Sequence, residues 1–250
     1  MSQAATAICQ RFDQQAARYE REAALQRAVA WRLAHYAAAL PLPAGPCADL
    51  GAGSGLFGQA LQQLAPQLQL RQVDGSAALL ARNPLASQGE RGLLWNLETG
   101  LPQELKGCAL LNSSFSLHWL RDPAERLQQW AASLQPGGWL QLAVPVAGSF
   151  PQWQLAAQRA GVPCTARPLP EAGDLVEAAA SQLQLRVQRR LVFSRRYGAG
   201  GQAFLRQLRR LGAGHSDQPP LSCGQWRRLL HHWPVDEHVS WHLLLLVGQR

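Results

Sequence analysis

The stretch CADLGAGSGLFGQAL, Cys47 to Leu61, sets Asp49 just ahead of three alternating glycines, Gly51, Gly53 and Gly55. Glycines so spaced admit positive φ and let backbone come close to a ligand, and a helix that begins directly after them offers unpaired N–H groups. The G-x-G-x-G spacing is shorter than the dinucleotide fingerprint G-x-G-x-x-G. Roughly 20 residues on, LRQVDGS places Asp74 where a carboxylate can accept both hydroxyls of a ribose. LLWNLETGLP then places Asn96, whose amide can bond an adenine edge. The sequence shows no Ser-His-Asp arrangement, no pair of catalytic carboxylates and no Cys/His cluster spaced for a metal. The chemistry these residues point to is capture of a nucleoside-bearing ligand.

Such residues have to be delivered by strand ends. Ala48 to Leu50, Leu68 to Val73, Gly92 to Trp95, Cys108 to Leu111 and Trp139 to Val144 read as strands, while Leu56 to Leu64, Ser76 to Arg82 and Pro123 to Leu134 read as helices. Strands alternating with helix-length segments predict an α/β fold with a parallel sheet covered on both faces. Ser2 to Leu40, without Gly or Pro, predicts one or two preceding helices. Two short helical runs within Ser149 to Glu177 predict an insertion over the sheet's edge. The remainder reads as a strand at Leu183 to Phe193, an Arg-rich helix at Gln202 to Leu211, a polar loop and a last strand at Val239 to Gly248. The expected organisation is one domain over 1–250, with helices at 1–45, a core at 46–145, a helical insertion at 146–182 and the end of the sheet at 183–250.

Hydrophobic residues at 47% and charged residues at 16% exclude a disordered chain, and 250 residues can bury a full core. The longest apolar run, Leu243 to Val247, is far short of the roughly 20 residues that span a bilayer. Five widely spaced cysteines without a C-x-x-C suggest neither a disulfide framework nor a zinc site, so a reducing cytoplasmic setting is expected. Charge is unevenly placed: residues 1–150 carry +1 and residues 151–250 carry +7 of the net +8. Eight Arg and no acid fall between Arg186 and Arg210, a field that attracts an acidic partner.

The order of Asp49 and the glycines, Asp74, Asn96 with Glu98, a serine-to-Trp119 stretch and LQPGG resembles the Rossmann-like S-adenosylmethionine-dependent methyltransferases. That resemblance covers about Ala48 to Val144. It implies a mostly parallel seven-stranded sheet, and S-adenosyl-L-methionine as cofactor. It further implies that Gly51, Ala52 and Gly53 pass beneath the methionine and ribose, Asp49 orients the methionyl amino group, Asp74 binds the ribose, and Asn96 with Leu97 recognises the adenine. Gly55, Gly75 and Ser113 complete the implied cofactor set.

Flanking stretches, RFDQQAARYEREAALQR, SSFSLHWL, AGSFPQW and FLRQLRRLGAGH, resemble the malonyl-acyl-carrier-protein O-methyltransferases of biotin synthesis. In that family Asn96 would be Asp, Ser114 Asn, His118 Gln and Ala52 Cys. The implied activity is methylation of the free carboxyl of a malonyl thioester on an acidic acyl-carrier protein. Tyr19, as the catalytic candidate, and Phe12 would close over the site, Trp119 would flank the substrate, and Arg121, Arg195 or Arg196 would hold its carboxylate or meet the carrier. A methyltransferase for another small carboxylate, a quinone precursor or a protein side chain shares the same cofactor half. Nucleic acid is a further candidate partner for the Arg-rich stretch, which lacks the interleaved aromatics of an RNA-binding surface. Oligomeric state is left open.

Overall fold

The computed structural model describes residues 3–216, 218–234 and 238–250; Ser2, where the first helical stretch was expected to begin, lies outside them. Strands β1 (Cys47–Leu50), β2 (Leu70–Asp74), β3 (Gly92–Leu94), β4 (Cys108–Ser114) and β5 (Leu134–Pro145) are joined in parallel, followed along the chain by β6 (Gln184–Arg196) and β7 (His238–Gln249). Their order is β3-β2-β1-β4-β5-β7-β6. Only β7 runs against the rest, antiparallel to both β5 and β6. Chain direction across the sheet reverses between β1 and β4, and an open α/β sheet leaves a crevice at the carboxyl ends of the strands there.

Apolar alternation explains how the sheet is buried on both sides. In β7, Leu243, Leu245 and Val247 enter one core and Leu244 and Leu246 the other, so a continuous apolar run serves two layers. The first layer holds α2 (Ala24–Ala39), α3 (Leu56–Leu64), α6 (Pro151–Ala160), α8 (Gly200–Arg210) and α9 (Cys223–His231). The second holds α5 (Pro123–Ser133) and α7 (Ala172–Ala180). The expected insertion therefore divides, with α6 on one face and α7 on the other.

At the carboxyl edge lie α1 (Gln3–Glu22) and the single turn α4 (Ala77–Leu80), which is shorter than the expected Ser76 to Arg82 helix. Helix α1 buries Ile8 and Ala16 along the stripe that also carries Phe12 and Tyr19. Asp13 on the same helix accepts hydrogen bonds from the Ser76 hydroxyl at 2.6 Å and the Ala78 amide at 3.0 Å. At the other end of α1, the Gln207 amide donates to the Glu22 carbonyl at 2.9 Å, and Arg210 pairs with Glu22 at 3.3 Å. Helix α1 is thus stitched to the second strand-to-helix turn and to α8 at once.

Helix α9 occupies the segment that reads as a polar loop. Its start is a capping box, in which Gln225 N–H donates to the Ser222 hydroxyl while the Gln225 side chain accepts from the Ser222 backbone. The S-C-G-Q spacing was the available signal, masked by the glycine and prolines before it. Replacing Ser222 by Ala should lower stability by about 1 kcal/mol. Denaturant unfolding followed beside cofactor titration would show this loss with unchanged cofactor affinity.

Candidate active site

The turn after β1 begins where Leu50 leaves the sheet. Gly51, Gly53 and Gly55 take φ values of 74°, 53° and 86°, the left-handed region expected of them. At Gly51 a Cβ would also come within 2.2 Å of the Ser116 side chain, so the loop after β4 can close against it only because no side chain is there. The turn is tied to the next strand by Asp74: one carboxylate oxygen accepts from Gly53 N–H at 2.7 Å and the other from Ser76 N–H at 2.7 Å. Each oxygen retains a lone pair for a further donor.

A cleft of about 110 Å³ opens above this turn. The structure brings Phe12 and Tyr19 from α1, Gly51 and Gly53, Asp74 and Gly75, Asn96 and Leu97, and Trp119 to its walls. Asp49 and Ala52 line a small adjoining recess that Tyr19, Gly51 and Ser114 share with it or border. Two of the cofactor candidates lie elsewhere: Gly55 forms the start of α3, and Ser113 is buried behind the cleft, while its neighbour Ser114 faces it. Alternation along β4 accounts for the difference, since neighbouring side chains point to opposite faces. Arg121 is exposed beyond the cleft, its backbone N–H donating to Glu98, and Arg195 and Arg196 lie on the exposed edge strand β6, so none of the three lines either cavity.

Sequence reasoning missed Ile8, Cys9, Ser116 and Leu120 as cleft residues. Helical spacing from Phe12 would have supplied Ile8. Cys9 approaches Gly75 so closely that a Cβ there would meet its sulfur at 2.7 Å, a contact with no local sequence signal.

The electrostatics of the cleft are one-sided. Asp49 accepts from the Asn112 amide at 2.6 Å, and neither it nor Asp74 has a cationic partner among the described residues. Burial raises Asp49 to about 7, opposed by the Asn112 hydrogen bond, and raises Asp74 to about 6, opposed by the Ser76 and Gly53 amides. Tyr19 is also shifted upward by burial and then by Asp74 and Asp49, so its phenol stays protonated. One buried and one half-buried carboxylate, a glycine cradle and a protonated phenol fit a cationic nucleoside. No group of His, Cys, Asp and Glu among the described residues could hold a metal ion, and none of their helices is long and apolar enough to cross a membrane.

A second, larger cavity of about 350 Å³ adjoins the cleft, with Trp119 lining both. Its floor is apolar, from Phe150, Trp153, Leu205 and Trp241, and its charged lining is all cationic among the described residues: Arg11, Arg167 and Arg209. The Arg167 guanidinium lies 5.5 Å from the Trp119 ring centroid, and Phe12 packs edge-on to the same ring at 5.5 Å. His118, stacked on Trp119 at 4.7 Å, is lowered to about 3 by burial and then by Arg167, and is therefore neutral.

A chain-wide comparison decides what this pair of cavities belongs to. The chain is 32% identical over 97% of its length, and 86% of the relative's, to a malonyl-[acyl-carrier protein] O-methyltransferase of Alcanivorax borkumensis. The chain belongs to the S-adenosylmethionine-dependent O-methyltransferases. The methyltransferase-domain family matches residues 48–140, from β1 into β5. It is also 33% identical over 89% of the chain to the biotin biosynthesis bifunctional protein BioCD of Bordetella avium, whose own length it covers to 48%. Among solved structures, the geranyl diphosphate C-methyltransferase of Streptomyces coelicolor A3(2) superposes with a TM-score of 0.53 over 89% of this chain and 79% of that one at 14% identity, a likeness of fold. The methyltransferase thus uses S-adenosylmethionine, and the acidic cleft with its glycine turn is the candidate site for it.

At about 110 Å³ the cleft is below the roughly 300–1,000 Å³ of sites that enclose a whole ligand. Entry of a whole nucleoside ligand would require helix α1 to yield, and Asp13 is one of its ties. Asp13→Ala should speed both binding and release of the cofactor, by about tenfold for each 1.4 kcal/mol of tie removed; stopped-flow fluorescence with unchanged rates would exclude this gating.

Proton linkage gives a second test. Raised carboxylate pKa values mean that protons occupy Asp49 below about pH 7 and Asp74 below about pH 6 in the free protein. A cation must displace those protons, so affinity should fall as pH drops through this window, by up to about tenfold per unit for each proton displaced. Calorimetry from pH 8 to 5.5 reads the slope, and Asp74→Asn should flatten its acidic part while weakening binding throughout.

Proposed function

We propose that the methyltransferase esterifies the free carboxyl of a malonyl thioester carried by an acidic acyl-carrier protein in the cytosol. The observation that carries this reading is the pairing, across one shared residue, Trp119, of an acidic cleft with a cavity whose charged lining among the described residues is Arg11, Arg167 and Arg209. The named activity of the Alcanivorax borkumensis relative supports the same acceptor.

Asp74 would take the ribose hydroxyls, Asp49 the methionyl ammonium across the recess, and Asn96 with Leu97 the adenine. When bound, S-adenosylmethionine supplies a methyl group on a cationic sulfur, open to attack by an oxygen nucleophile. The residues of the chain then have little proton chemistry to perform. A malonyl carboxylate is ionised at neutral pH, so no general base is needed. His118 stays neutral and Tyr19 stays protonated, so neither takes a proton from the acceptor.

What the chain supplies is alignment and exclusion of water. Arg167, braced on Trp119, would hold the carboxylate, a task for which the planar guanidinium fork is suited. Phe12, Tyr19 and Trp119 form an aromatic wall, with Phe12 and Tyr19 edge-to-face at 6.3 Å, between acceptor and water. Holding two reactants in attack geometry is worth up to about 7–11 kcal/mol. Arg195 and Arg196, exposed on β6, would meet the carrier's surface and raise the encounter rate.

Labelled S-adenosylmethionine and malonyl-carrier protein should yield a base-labile methyl ester on the acyl group. Label on the carrier polypeptide, or none at all with a folded, cofactor-binding protein, would refute this reading. Arg167→Gln should raise the KM for the malonyl thioester at least tenfold with cofactor affinity unchanged.

A further inference from the structure

One Arg beside Trp119 suffices for one carboxylate, yet the larger cavity has two further guanidiniums on its wall. Arg11 belongs to α1 and Arg209 to α8, and both converge on Gly214. Arg11 donates to the Gly214 carbonyl at 3.2 Å. The stem of Arg209 also runs past that glycine, where a Cβ would stand 3.0 Å from its Cγ, and its guanidinium lies 5.5 Å from the Trp226 ring centroid. Neither Arg has a carboxylate partner among the described residues. Both side chains are exposed and line the same cavity beside the same residue, so an anion lodged there would meet two cations.

We propose that Arg11 and Arg209 form a second anion site at the exposed rim of the acceptor cavity, one that holds the phosphodiester of a phosphopantetheine arm. The inference rests on the thioester reading above, because such an arm is what tethers an acyl group to a carrier protein. The carboxylate and the phosphate would then be two anionic groups of one acceptor, in a cavity that Leu205, Leu208 and Trp226 also line. A coenzyme A thioester carries the same phosphopantetheine chemistry, and the assay separates the two sources.

The test compares malonyl thioesters of the carrier, of coenzyme A and of pantetheine, the last without phosphate. In an Arg11→Gln/Arg209→Gln double variant, KM for both phosphate-bearing acceptors should rise at least tenfold more than KM for the pantetheine thioester, with kcat retained. Arg→Lys at both positions should restore part of the loss. An equal rise for all three acceptors would overturn the site, and a rise confined to the carrier would reassign the two residues to its protein surface. Binding of 4′-phosphopantetheine itself, measured by calorimetry on the wild-type protein, is independent of the acyl group. It should be detectable and should be lost in the double variant. If no malonyl thioester is methylated but this binding is seen, the acceptor reading fails and the anion site stands; if methylation proceeds and this binding is absent, the anion site fails alone.

Discussion

The structure depends first on the Asp74 carboxylate. One side chain at the end of β2 receives the amide of the first turn through Gly53 and the amide of the second turn through Ser76, so two loops that meet only at the sheet's edge are fixed to each other. Hydrogen bonds to a charged acceptor are worth about 1.5–3 kcal/mol each, more than most single contacts in a fold of marginal stability. The same burial that makes these bonds strong makes the charge costly, which is why the carboxylate is pushed toward its neutral form. A site built this way is stabilised by whatever cation enters it.

Charge separation follows from that constraint. Acids gather where the glycine turn, β2 and β4 meet, and arginines gather where α1, α8 and the segment after α6 enclose the second cavity. Trp119 stands between, a residue that can border both a cation and an anion because its ring has no charge of its own. Helix α1 borders both compartments, with Phe12 and Tyr19 facing one and Arg11 the other. It is held at three places by hydrogen bonds to distant parts of the sequence. Any motion that admits ligand to one compartment therefore alters the wall of the second.

Much of this was legible in the sequence where a residue's role is local. Positive φ at Gly51, Gly53 and Gly55, the strand-end position of Asp74 and the sheet class follow from spacing and from alternation of strand and helix patterns. The acceptor side was not legible. Arg167 acquires its place from packing on Trp119, and Arg11 from a carbonyl 203 residues away, neither of which leaves a periodic mark. The Arg-rich stretch drew attention to Arg195 and Arg196 because density of charge is visible in a sequence, whereas convergence of three scattered arginines is not. Ser113 is buried while Ser114 faces the cleft, because in a strand a single step changes the face.

Strand β6, thirteen residues long, ends the sheet on one side and pairs along only one edge, with β7, among the described strands. An open border of that length invites a neighbouring polypeptide to add itself, and Val192 on it is 60% exposed. Five arginines along the strand, Arg186, Arg189, Arg190, Arg195 and Arg196, work against such addition by another copy of the same border, since it would bring cation against cation. The positive charge there thus guards the protein against self-association into ribbons, whatever else it attracts.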